Sequence, residues 1–398
     1  MKPKDNIHNR ETCRRCGCRA AADGSTPRPD CRLFKRLPVP PVLRCLTENS
    51  GMALLITLTV ISLLVAVTLE LNRRARATVH AAAETRDRLV ISEMLASGVH
   101  AAMAMLAEDK KNSTIDSMQE DWADPEKVSA MVESVAPEEG KLTVTISDER
   151  SRIQVNALVE FPEGRAFQIP QPTIWERYLK IAFLAYELEA ESDQIVTIIN
   201  SLKDWLDSGD DDAITGLSGA ESDYYQDLDP GYSTRNGPFT DISELLQVQG
   251  VLPEIFYSNG ELPGISDYLT VGVMTAGADD KFTFDGKINI NTAELTVLAA
   301  LLKEEDQEIA VAIEDYRMAK SDETYLHELS GSTWYQDVPG AGDIEIDADA
   351  ITTKSDFFRI EVHASLREMK MSANVLIRRE KNKENDQIRC RVLSWKQE

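Results

Sequence analysis

The sequence predicts an α+β protein in which a long N-terminal helix packs on an antiparallel sheet, and a large, mainly helical insertion divides that sheet. Three observations predict it. An uncharged run, MALLITLTVISLLVAVTL from Met52 to Leu69, passes without interruption into a stretch with helical spacing. Strand-like alternation follows that stretch and then returns only near the C-terminus. What lies between reads as amphipathic helices.

The eighteen uncharged residues correspond to about 27 Å of helix at ~1.5 Å per residue, close to a hydrocarbon core of ~30 Å. Arg36 and Arg44 precede the run and Arg73, Arg74 and Arg76 follow it, so flanking charge orients the span poorly. The large acidic region downstream is read as the translocated side. No small-x-small cleavage site closes the run, which favours a retained membrane helix over a removed signal peptide. Ile91, Leu95, Val99, Ala102 and Leu106 then recur every three or four residues, the stripe of an amphipathic helix. Gly98 is the only Gly or Pro before the pattern fades near Glu108. One helix over residues 52–108 is expected, half in lipid and half supporting a domain as a stalk.

Charge and cysteine divide at the same place. The chain of 398 residues has 43 Lys plus Arg against 67 Asp plus Glu, a formal net charge of −24. Residues 1–50 hold 11 basic and 5 acidic side chains, so the acidic excess lies entirely downstream. Clustered Lys and Arg, which phosphate binding requires, are missing there, and no nucleic-acid partner is expected. Five of the six cysteines (Cys13, Cys16, Cys18, Cys31 and Cys45) precede the apolar run and only Cys390 follows it, so the downstream region holds no internal disulfide. Cys13-x-x-Cys16-x-Cys18 suggests a zinc knuckle, but no His or second CxxC stands at suitable spacing. An overextended start, with the true one nearer Val39–Leu46, is the favoured reading.

Leu142, Val144 and Ile146 alternate with polar residues. Ile153, Val155 and Ala157 do so again after the polar segment Ser147–Ser151, and the pattern predicts a β-hairpin. Phe358, Ile360 and Val362, then Met371, Ala373, Val375 and Ile377, then Ile388–Trp395 are the remaining strands. A lone hairpin is marginal, so these distant strands are expected to complete one sheet against the stalk helix. The expected division is 1–51, a leader; 52–108, the membrane and stalk helix; 109–168, the first part of the β domain; 169–355, the helical insertion; and 356–398, the closing strands. Within the insertion, Trp175–Glu189 and Gln194–Leu206 are amphipathic, and Asp241-x-x-Glu244 and Asn291-x-x-Glu294 each read as an N-cap opening an apolar helix. A dense acidic segment, Asp204-Trp205-Leu206-Asp207-Ser208-Gly209-Asp210-Asp211-Asp212, precedes Glu221, Asp223, Tyr224 and Tyr225. Such carboxylates repel one another unless solvated or neutralised by a cation. Calcium takes six to eight oxygens in flexible geometry, but the spacing is not that of an EF-hand, so a solvated loop and a calcium loop both remain open.

Gly51 followed by Met52 and an immediate apolar run resembles the type III signal of bacterial pilins and type II secretion pseudopilins. The resemblance implies that prepilin peptidase cuts after Gly51 on the cytoplasmic side and methylates the new N-terminus, Met52, while the apolar helix stays on the protein. Most pilins carry Glu at the fifth mature position; here that position is Ile56. The missing Glu is similar to the large minor pseudopilin K, which caps the filament tip. ISDERSRIQVNAL (Ile146–Leu158) is similar to the segment after the stalk in that family. DISELLQVQGV (Asp241–Val251) and ININTAELTVLAALL (Ile288–Leu302) resemble its paired SAM-like or helix-hairpin-helix units. Leu302-Lys303-Glu304-Glu305-Asp306 occupies the hairpin region, where acidic residues repel phosphate.

The loop DWLDSGDDD…GAESDYY likewise resembles the calcium-binding loop of the K pseudopilins, and the resemblance implies structural calcium with Asp207, Asp210, Asp212, Glu221 and Asp223 as candidate ligands, Asp211 being equally arguable. Nucleophile elbow, P-loop, HExxH and Rossmann motifs are missing, and the five His residues sit in no recognisable motif, so no enzyme is expected. The family resemblance implies a pilin-like sheet, a single-pass inner-membrane protein with a cytoplasmic N-terminus and periplasmic head, and a role initiating the secretion pseudopilus that exports folded proteins. Its implied partners are the minor pseudopilins I and J, the major pseudopilin, the inner-membrane secretion platform and prepilin peptidase. A minor pilin of a type IV pilus or competence system is the alternative, and a membrane-tethered periplasmic metal-dependent hydrolase a third.

Overall fold

The computed structural model describes residues 50–398 apart from 138, 163, 189–191, 210–213, 261, 277–281 and 383–385. The zinc reading of Cys13, Cys16 and Cys18, the alternative start and the candidate ligands Asp210, Asp211 and Asp212 therefore lie outside the described residues. Two compact units divide the chain, residues 1–77 and residues 78–398. The helix α1 is assigned from Ser50 to Asn112.

In the first unit the apolar residues of α1 stand exposed all round, from Met52 through Leu71. A helix apolar on every side is suited to lipid or to the core of an assembly rather than to water. It is long and apolar enough to cross a membrane. Gly51 lies in its first turn, and a Cβ built there would meet nothing within 4 Å, so packing places no demand for glycine at that position.

In the second unit the stripe Ile91, Leu95, Val99, Ala102 and Leu106 is fully buried, as its spacing predicts. It lies on a four-stranded antiparallel sheet built from β1 (Lys141–Asp148), β2 (Phe357–Leu366), β3 (Met369–Lys381) and β4 (Ile388–Gln397), in the order β1-β2-β3-β4. Val144 stands opposite Val362 and Ile146 opposite Ile360. Gly98 lets the helix come close: a Cβ there would lie 3.0 Å from Val362 Cγ1 and 3.1 Å from Val144 Cγ2. The helix α2 (Pro125–Val135), capped by the Asp124 side chain, buries Val128 and Val132 in the same core.

The expected hairpin is not formed. β1 pairs with β2, more than two hundred residues away, and Ile153–Gln154 instead pairs parallel with Leu269–Thr270, after which Val155–Leu158 forms a 3₁₀ turn. The alternation misled because its polar members are buried too. Gln154 donates to Val273 O at 3.1 Å, and Asn156 donates to Phe239 O at 3.0 Å while accepting the Phe239 N–H at 2.7 Å. A buried amide with both partners in place reads in sequence like a solvent-facing one.

The intervening residues carry a separate core made by α3 (Gln171–Ala185), α4 (Ser192–Leu206), α5 (Ser222–Gln226), α6 (Pro253–Phe256), α7 (Leu295–Leu301) and α8 (Ile309–Met318). Asp241 and Glu244 form a capping box, but it opens a 3₁₀ turn, Ile242–Gln247. Asn291 does not cap α7, which starts after Glu294. Its buried amide bridges Leu329 O at 3.2 Å and Trp334 Nε1 at 2.7 Å. Between α7 and α8 the turn Glu304–Asp306 has no buried residue.

Charged residues fasten the two cores to each other and α1 to the sheet. Glu149 is buried against Arg359, whose Nε donates at 2.9 Å, and Arg152 at 3.3 Å; burial alone would raise its carboxyl, but these guanidinium groups hold it below the usual value. Arg150 grips Asp285 with two bonds of 2.8 Å. Arg379, 1% exposed, joins Asp109 at 2.9 Å and Asp116. Burial, reinforced by Glu120, pushes the Asp109 carboxyl up to about 7 against the pull of Arg379. Between about pH 4 and pH 7 the folded chain thus holds a proton that the unfolded chain has released. This group's stabilising contribution is complete below that window and is lost as the pH rises through 7. Asp109→Asn should accordingly flatten the decline in thermal midpoint between pH 5 and pH 8; an identical decline in both proteins would contradict the assignment.

Candidate metal centre

The site begins with α4. Ile195, Ile198, Ile199, Leu202, Trp205 and Leu206 follow helical spacing and are buried, so α4 is pinned along one face. Trp205 meets Tyr225 of α5 edge-on at 5.3 Å and stacks with Phe239 at 6.1 Å; the Tyr225 hydroxyl accepts the Gln249 N–H at 3.1 Å. This aromatic group fixes the last turn of α4 against the start of α5, and with them the carboxylates each carries.

Asp204, Asp207 and Glu221 are all buried, and a carboxylate oxygen from each lies within 4.8 Å of those of the other two. Both oxygens of Asp204 accept the Thr215 N–H, at 3.1 and 3.2 Å. Asp207 accepts the Gly209 N–H at 3.1 Å and the Lys203 ammonium at 2.8 Å, and Lys203 also donates to Thr215 Oγ1 at 3.0 Å. Gly219 is required here, because a Cβ would stand 2.0 Å from Asp204 Oδ2. Burial pushes the Asp204 carboxyl up, and Asp207 adds to this against the hydrogen bonds of Thr215 and the charge of Lys203.

Of the candidate ligands, the structure brings Asp207 and Glu221 together and places Asp223 exposed in the first turn of α5. Asp204 was missed. Its signal was available: it stands three residues before Asp207, on the same helical face. The donor set fits a hard divalent cation in kind, since three carboxylates face a single ammonium and their oxygens are close enough to share one ion. Three oxygens supply about half of the six to eight that calcium takes. In a second carboxylate group, Asp109, Asp116 and Glu120, the first two already hold the Arg379 guanidinium and Glu120 accepts the Trp122 Nε1–H at 2.8 Å, so the group is structural.

The family described as "Type II secretion system (T2SS), protein K" matches residues 151–258, which contain this centre. The resemblance to protein K is shown. Curated relatives named type II secretion system protein K include one from Klebsiella pneumoniae, 26% identical over 206 residues, 51% of this chain and 59% of that one. One from Aeromonas hydrophila is 27% identical over 218 residues, 52% and 61% of the two chains. One from Pseudomonas aeruginosa is 27% identical over 261 residues, 64% and 68%. The chain thus spans about three-fifths of the length of the first two. In fold it is similar to a chain of the GspK-GspI-GspJ complex from the type 2 secretion system of enterotoxigenic Escherichia coli, with a TM-score of 0.54 at 18% identity, covering 79% of this chain and 99% of that one.

Proposed function

We propose that the protein is a minor pseudopilin of a type II secretion system, standing at the tip of the pseudopilus, initiating its assembly and supporting export of folded proteins across the outer membrane. The observation that carries the reading is a protein K segment, residues 151–258, in a chain that also has an N-terminal helix with an unbroken apolar surface. In this reading residues 1–51 are a leader that prepilin peptidase removes, and the amine of Met52 is methylated. The helix spans the inner membrane with its N-terminus cytoplasmic, and the remaining domains lie in the periplasm.

Assembly follows from the same helix. Its exposed apolar surface packs on the helices of sibling subunits, the I and J minor pseudopilins first and the major pseudopilin below them, on the inner-membrane platform. Ile56 in place of a buried carboxylate removes the need for a neighbour's amine on that side, and so suits a subunit with no copy above it. The role is mechanical rather than catalytic. Structural calcium, held by Asp204, Asp207 and Glu221 together with the candidates Asp210, Asp212 and Asp223, adds to the one positive charge of Lys203 and keeps the loop folded. Residues 169–355, with Ile153–Val159 of the preceding segment packed into their core, act as a separate helical head within a β domain of residues 109–168 and 356–398.

Mass spectrometry of the protein extracted from membranes should find a mature N-terminus at methylated Met52. An intact Met1, or a cut near Ala77 that discards the apolar segment, would contradict processing. Chelation should lower the thermal midpoint of the calcium-loaded protein by about 5 °C, and Asp204→Asn should abolish most of that difference. An unchanged midpoint would remove the calcium assignment.

A further inference from the structure

In a chain of formal charge −24, the face of the sheet turned away from α1 is basic. It borders a cleft of about 580 Å³ shared with the loops at 238–242 and 266–274. Arg359, Arg378, Arg391 and Lys396 reach this cleft, and the apolar Leu393 and Met274, 40% and 52% exposed, line it beside them.

The partners of these cations are uneven. Arg359 is held by Glu149, and Lys396 by Asp241. Two positions along the ladder, on the same face, Arg389 stands opposite Glu380 and bonds it at 2.6 Å. Arg378 and Arg391 face each other across β3 and β4 with no carboxylate between them and no ion pair among the described residues. Arg378 stacks over Phe357 at 5.4 Å, and its Nε is buried with no hydrogen-bond partner. Like charges directly opposite on a sheet are destabilising, and the adjacent Glu380–Arg389 pair shows the arrangement that stability alone favours. Charge on an edge strand does protect against unwanted pairing, which accounts for Arg391 but not for a second arginine facing it.

We propose that this cleft docks an acidic segment of a partner protein, with a carboxylate bridging Arg378 and Arg391 and an aliphatic side chain covering Leu393 and Met274. A carboxylate satisfies both guanidinium groups at once and relieves their repulsion. β4 ends the strand order, so an extended segment has a free edge beside the arginines to lie along. The bulge between Leu376 and Ile377 leaves Leu393 as the extra residue of β4, which sets an apolar contact next to the charged one.

The test uses the full chain in non-ionic detergent, with empty micelles as the blank, and a fluorescein-labelled octapeptide of alternating aspartate and leucine read by anisotropy. The peptide should bind and weaken as salt is added. Arg391→Glu should weaken it about tenfold or more while raising the unfolding midpoint, because the new carboxylate faces Arg378 as Glu380 faces Arg389. The matching lysine–leucine peptide should not bind. Failure of the aspartate peptide to bind, or equal affinity in Arg391→Glu, would overturn the proposal. So would displacement of the peptide by a thymidine octanucleotide, or by self-association of the chain that Arg391→Glu abolishes.

Discussion

The Arg379 guanidinium donates to Leu106 O at 3.1 Å and to Asp109 at 2.9 Å, both on α1, to Asp116 in the following loop, and to Ser355 O at 2.9 Å, where the chain returns from its insertion. Its plane also lies over Phe358 at 4.6 Å. A single cation on β3 thereby ties together the helix, the start of the β region and its resumption. A buried ion pair is weak evidence for net stability, since desolvation offsets much of the attraction. Removing one partner nevertheless costs about 3–5 kcal/mol, because the other charge is left buried and unpaired. The arrangement thus fixes which segments meet more firmly than it adds to their total stability.

The sheet needs such a fastening because β1 and β2 are separated in sequence by everything that forms the second core. The segment Asp148–Arg152 provides a second one. Asp148 accepts the Asn289 amide at 2.7 Å and the Thr292 hydroxyl at 2.7 Å, Glu149 takes Arg359, and Arg150 takes Asp285. Each of these partners belongs to a later part of the chain. With both joints made, the helical region is carried on the sheet and its acidic centre is held by its own aromatic group rather than by the sheet.

Periodicity made the α1 stripe and the strands β2 and β3 legible, since each buries one face and leaves the other more open, while β4 was legible from its alternation although it buries no residue. It failed where burial was two-sided. Gln154 and Asn156 are polar yet enclosed, so Ile153–Leu158 imitated a strand of a hairpin, and Ser147–Ser151, read as a polar turn, is largely an internal ion-pair joint. Asn291 looked like a helix cap because its side chain is short and polar, but its partners, Leu329 and Trp334, come from distant sequence that no local pattern reveals. At the candidate metal centre, the density of acidic residues located the loop. Asp204 escaped notice beside so many acidic neighbours, although helical spacing puts it on the face that carries Asp207. Arg378 and Arg391 could not be read as a pair without the register of β3 and β4.

The proposed function requires that the apolar helix remain attached and pack against the helices of similar subunits. Gentle extraction of the tagged full-length protein from its native membrane, followed by native mass spectrometry of whatever stays bound, tests this most directly. A complex containing two smaller subunits, each bearing its own N-terminal apolar helix, is the predicted result. Recovery of the chain alone, or of a soluble fragment lacking residues 52–69, would contradict it.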